Sequence, residues 1–140
     1  MNFDEIVDSV REMDAELRVE LAKDCVLKMC DGFARLGMNE EQMSEKICDV
    51  IRLFVSADRR CSPQEFELIN AIYEFDMTYQ EFYDLTNGGA QVEFIMAMDH
   101  YIDSLEKSLK SHIGMFGLCL LASDGEVTHV ERALLKRILL

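Results

Sequence analysis

A stretch of 20 residues in this chain recurs. "LFVSADRRCSPQEFELINAI" (Leu53 to Ile72) aligns without a gap with "CLLASDGEVTHVERALLKRI" (Cys119 to Ile138), at an offset of 66 residues. Asp58 matches Asp124, Ser62 matches Thr128, Glu65 matches Glu131, Leu68 matches Leu134 and Ile72 matches Ile138. Each copy reads as an apolar helix, a short acidic turn and a second helix. A hydroxyl residue followed three positions later by glutamate starts that second helix with a capping box. Two such units predict an internally duplicated helical bundle packed about a pseudo-twofold axis.

The rest of the chain fits the same class. Apolar residues recur three and four apart at Phe3, Ile6, Val7, Val10 and Met13, which predicts a short first helix. Asp14 then caps a longer helix with the stripe Leu17, Leu21, Cys25, Met29, Phe33 and Leu36, ended by a left-handed Gly37. Asn39 and Gln42 open a third helix, buried through Met43, Ile47, Val50, Ile51 and Phe54. Ser62 with Glu65 opens a fourth, with Phe66, Ile69, Ile72 and Tyr73 inward, and Thr78 with Glu81 opens a fifth, short one. That helix ends at "TNGG" (Thr86 to Gly89), the clearest break in the chain. "AQVEFIMAMDHYIDSL" alternates like a strand in part, but no second strand is evident to pair with it, so it reads as a helix. Lys107 to Ser123 forms the next, where Gly114 and Gly117 predict close approach by a neighbour. The last begins at Thr128. The expectation is an all-α bundle of seven to eight helices in one domain. Residues 1–38 would form an N-terminal helical extension and 40–140 the duplicated core.

Composition agrees. The chain has 140 residues, one proline and seven glycines, too few turn formers for a sandwich of strands. Fourteen basic residues stand against 27 acidic ones, a formal charge of −13, which would repel a phosphate backbone and argues against nucleic acid. The five cysteines lack C-x-x-C spacing, as suits a reducing cytoplasm, and the acidic "MNFDEIVDSV" is unlike a signal peptide. The longest apolar run, Ile113 to Ala122, is about half a membrane span, so insertion is not expected.

"ASDGEVTHVE" (Ala122 to Glu131) resembles the acidic inter-helix turn of the TerB-like family, named for tellurite-resistance proteins. "SADRRCSPQE" (Ser56 to Glu65) is a looser second copy, with Arg59 where glycine is usual. The resemblance spans roughly Glu40 to Leu140. It implies an acidic all-helical, non-enzymatic module linked to tellurite and other stress resistance and to divalent-cation binding. It also implies protein partners, including complexes at the inner face of the membrane. Carried over by position, the acidic candidates are Asp58, Glu65, Asp124 and Glu131. The second copy lacks the third helix that follows the first, so the domain has shed it or belongs to a longer polypeptide.

The turn is not an EF-hand. With Gly125 at position 6, Asp124 and Glu131 fall correctly at 5 and 12, but positions 1 and 3 fall on Leu120 and Ala122. The upstream copy places Phe54 and Ser56 there. Two readings of the acidic residues therefore stay open: helix capping, or a cation shared between the two turns. "EVTH" (Glu126 to His129) has the Glu-x-x-His spacing of di-iron bundles, but only one such pair occurs where two are needed. His100 and His112 read as surface or half-buried histidines. Met96, Met98 and Met115 suggest an adaptable groove for a partner helix, with core packing as the plainer use. A metal-independent adaptor is the alternative function.

Overall fold

The computed structural model describes residues 2–56, 62–73, 78–87 and 92–140. Among these the chain is all helical: α1 (Phe3–Arg11), α2 (Ala15–Arg35), α3 (Glu40–Ser56), α4 (Pro63–Tyr73), α5 (Tyr79–Asn87), α6 (Val92–Asp103), α7 (Lys107–Leu121) and α8 (His129–Leu139). A single 3-10 turn, Ala122–Asp124, follows α7. No strand occurs among the described residues, and no helix there is long and apolar enough to cross a membrane.

Local chemistry sets the boundaries. The backbone N–H of Asn39 donates to Gln42 Oε1 while that of Gln42 donates to Asn39 Oδ1, both at 2.9 Å, a reciprocal cap at the start of α3. Gly37 has φ +90°; its N–H donates to the Ala34 carbonyl and that of Met38 to the Phe33 carbonyl. This Schellman closure satisfies the last carbonyls of α2 and needs a residue tolerant of the left-handed region. Asp14 occupies the N-cap of α2 but makes no side-chain capping bond, contrary to expectation.

The core is organised on α7. From Ile113 to Leu121 every residue but the half-buried Met115 is buried, because α7 runs along α2 and also packs on α8, α3, α1 and α4. A helix apolar on all sides has to be covered on all sides, and this explains the longest apolar run in the sequence. The two glycines of α7 mark the closest approaches. A Cβ on Gly117 would run into the Phe54 ring of α3, and one on Gly114 would lie 2.5 Å from a methyl carbon of Leu139 on α8.

The inward face of α2 differs from the predicted stripe. Leu17 and Leu36 are exposed (59% and 57%), whereas Arg18, Ala22, Cys25, Val26, Met29, Gly32 and Phe33 are buried. Cys25, Met29 and Phe33 of the stripe are buried as expected and Leu21 is half-buried, so the departure is confined to its ends, and next to the exposed Leu17 it is Arg18 that points inward. Its Nη2 donates to the carbonyls of Val10 (3.2 Å), Arg11 (3.1 Å) and Met13 (2.9 Å), and its Nε donates to Val10 (3.3 Å). These carbonyls lie at and just beyond the C-terminal end of α1, so one guanidinium both caps α1 and fixes it to α2. Arg18→Ala is expected to cost about 2 kcal/mol, read by urea denaturation. Arg18→Lys should recover only part, since a single ammonium does not reproduce the planar fork. A wild-type midpoint in both variants would show the contact to be idle.

Candidate functional site

The site builds from two helix starts. At α4 the backbone N–H of Ser62 donates to Glu65 Oε1 (3.0 Å) and that of Glu65 donates to Ser62 Oγ (3.1 Å). At α8 the N–H of Thr128 donates to Glu131 Oε1 (2.8 Å) and that of Glu131 to Thr128 Oγ1 (3.3 Å). The duplicated motif thus forms the same reciprocal box twice. Thr128→Ala should lose about 1 kcal/mol in chemical denaturation, and an unchanged midpoint would remove the capping role.

Capping glutamates are normally solvated at one oxygen, and these are not. Glu65 and Glu131 are each only 3% exposed. The packing explains why: α4 lies against the 3-10 turn that leads into α8, so the two acidic segments meet. In that turn Ser123 Oγ donates to the Leu120 carbonyl (2.6 Å), and Asp124 Oδ1 accepts from the Glu126 N–H (3.0 Å). Gly125 has φ +84°, which reverses the chain towards the buried Val127. From outside, α1 holds the turn through Arg11 Nε, which donates to the Gly125 carbonyl (3.1 Å).

The electrostatics follow from this packing. Burial pushes the Glu65 carboxyl up from 4.5 to about 8. Its hydrogen bonds at Ser62 oppose that rise, while the charges of Glu131 and Asp124 add to it. Glu65 Oε2 is buried with no hydrogen-bond partner. A carboxylate oxygen in that position lacks one positive group, which a proton or a cation can supply.

The expected site residues are therefore placed unequally. Glu131 and Asp124 both lie within electrostatic range of Glu65, although they are distant from it in sequence. Asp58 lies outside the described residues, as does Cys61. Glu126 and His129 are both exposed, and no group of three or more His, Cys, Asp or Glu side chains among the described residues is placed to hold a metal ion. His100 is exposed and His112 half-buried. The methionines do not line one groove: Met98 is buried, Met115 half-buried and Met96 exposed beside a cleft with Asp99 and Lys110. Burial pushes the thiols of Cys25 and Cys119 up to about 11 and about 12, which keeps them protonated and inert at neutral pH.

No protein-family model, curated protein or solved structure matches this chain. What it does has to be argued from the carboxylates themselves. Arg18 and Arg11, which brace the turn and the helix above it, were not singled out from the sequence. Their partners are backbone carbonyls, and those leave no mark in a residue pattern.

Proposed function

We propose that this chain is a non-enzymatic, TerB-like helical module of stress or metal response, which works by binding partner proteins and whose buried carboxylate junction takes up a divalent cation. The observation that carries the cation is the orphaned Glu65 Oε2, buried beside the negative charges of Glu131 and Asp124. Glu65 Oε2 would be the direct ligand, with the charges of Glu131 and Asp124 attracting the ion from further off, since no three such side chains among the described residues are placed to hold it together. That is a short ligand set, and it suits a hard cation such as magnesium, which keeps several waters and binds through one or two carboxylates. The charge of the ion would replace the proton on Glu65, so uptake and proton release are coupled.

Calorimetric titration with magnesium, calcium, manganese and zinc tests this directly. Saturable binding is expected in the wild type, tighter at pH 8.5 than at pH 6.5 because the cation competes with the Glu65 proton. Glu65→Gln should abolish it, as should Asp124→Asn combined with Glu131→Gln. No saturable binding, or binding unchanged in these variants, removes the cation.

The second reading is a metal-independent adaptor. It is favoured by the completeness of both capping boxes, in which Glu65 and Glu131 each already serve the helix start. In that case a proton on Glu65 completes the junction, and the function lies on the surface.

A further inference from the structure

The outward face of α2 is unlike an ordinary solvated helix face. Leu17, Glu20, Asp24, Leu27 and Asp31 are all exposed and fall on one side, opposite the buried Ala22, Cys25, Met29 and Phe33. Leu17 and Leu27 are 59% and 66% exposed. At a rise of about 1.5 Å per residue they stand about 15 Å apart along the helix, with the carboxylates of Glu20 and Asp24 between them. At the N-terminal end this face opens into a groove of about 660 Å³, lined by Asp14, Glu16, Leu17, Val19, Glu20 and, from α4, Ala71. Lys23 is the one basic side chain in that groove lining.

We propose that this face and its groove dock a basic amphipathic helix of a partner protein. Charge complementarity selects the occupant. A second copy of the chain would set carboxylates against carboxylates, and the chain as a whole carries −13. Anionic lipid and nucleic acid are repelled by the same field. A helix with apolar residues on one face and lysine or arginine beside them buries Leu17 and Leu27 while its cations meet Glu16 and Glu20; Asp24 is already paired with Lys28 at 3.0 Å. The groove between α2 and Ala71 receives one of its apolar side chains. This deepens the partner-binding part of the proposed function and does not depend on the cation.

The probe is a fluorescein-labelled Leu/Lys amphipathic peptide of about five helical turns, with a scrambled peptide of the same composition beside it. Binding is followed by anisotropy at low and physiological salt, and mapped by amide chemical shifts on labelled full-length chain. Shifts confined to α2 and the end of α4 around Ala71 are expected, with the scrambled peptide weaker by about tenfold or more. Leu17→Ser with Leu27→Ser should weaken binding by about tenfold or more, and Glu16→Lys with Glu20→Lys should weaken it and flatten its salt dependence. Both pairs sit on an exposed face, and circular dichroism verifies that they fold. Glu65→Gln should bind the probe as the wild type does, which separates this surface from the cation junction. Equal binding of the scrambled peptide, shifts spread over every acidic helix, or unchanged affinity in both α2 double variants would overturn the proposal.

Discussion

Gly117→Ala is expected to lower the stability of this chain by about 3 kcal/mol. Intrinsic propensity predicts the opposite sign, since alanine is better than glycine in a helix interior by about 1 kcal/mol. The difference arises because the added methyl would enter the ring of Phe54, which is fully buried. That ring sits where α3 crosses α7, in an interior packed as densely as an organic crystal, so the clash is relieved only by moving one helix from the other. Gly114→Ala is the internal comparison. Its methyl would meet the tip of Leu139, a half-buried side chain in the last turn of α8 that can swing aside, so a loss of about 1 kcal/mol or less is expected. Urea denaturation of the two variants gives the order. Combining Gly117→Ala with Phe54→Leu should show a favourable coupling of at least about 1 kcal/mol. Additive effects would place the cost elsewhere.

Stability should rise as the solution is acidified from pH 8 towards pH 5. The Glu65 carboxyl titrates near 8 in the folded chain and near 4.5 when exposed. Between those values the native state holds a proton that the unfolded state has lost, so stability falls as pH rises through the window. Below about 4.5 both states are protonated and the contribution is fully present; above about 8 it is gone. An interval of about 3.5 pH units corresponds to at most on the order of 5 kcal/mol, and partial relaxation of the site will reduce it to a few. Glu65→Gln should keep the cap, because glutamine also serves at that position, and should flatten the profile. At pH 8 it should be more stable than the wild type. Glu131→Gln should shift the window to lower pH by removing one of the repelling charges. A wild-type slope in Glu65→Gln would assign the pH dependence to another group. With a divalent cation present the slope should weaken if the junction binds it, since the ion stabilises the ionised form.

Much of the fold is legible in the sequence because helix starts and stops are local. Asn39 with Gln42, Ser62 with Glu65, and Thr128 with Glu131 each act within a few residues, and Gly37 ends α2 for a reason internal to its own backbone. Periodicity places the inward faces of α1 and α3 in the same way. It misses the start of α2, where Leu17 is exposed and the long side chain of Arg18 turns inward to three carbonyls at and just beyond the end of α1. A pattern of apolar residues carries no information about such a distant acceptor.

The same division runs through the candidate site. The sequence by itself determined that Glu65 and Glu131 occupy equivalent positions and that both close a capping box, since the hydroxyl, the glutamate and the orphan N–H groups lie within one helical turn. Only the tertiary structure decided that α4 lies on the turn before α8, which removes both carboxylates from water and sets them against each other. Burial is a property of what covers a group, and the covering helices α1 and α4 come from distant parts of the chain. That is why two ordinary caps in the sequence become, in the folded molecule, one charged junction that needs a proton or a cation.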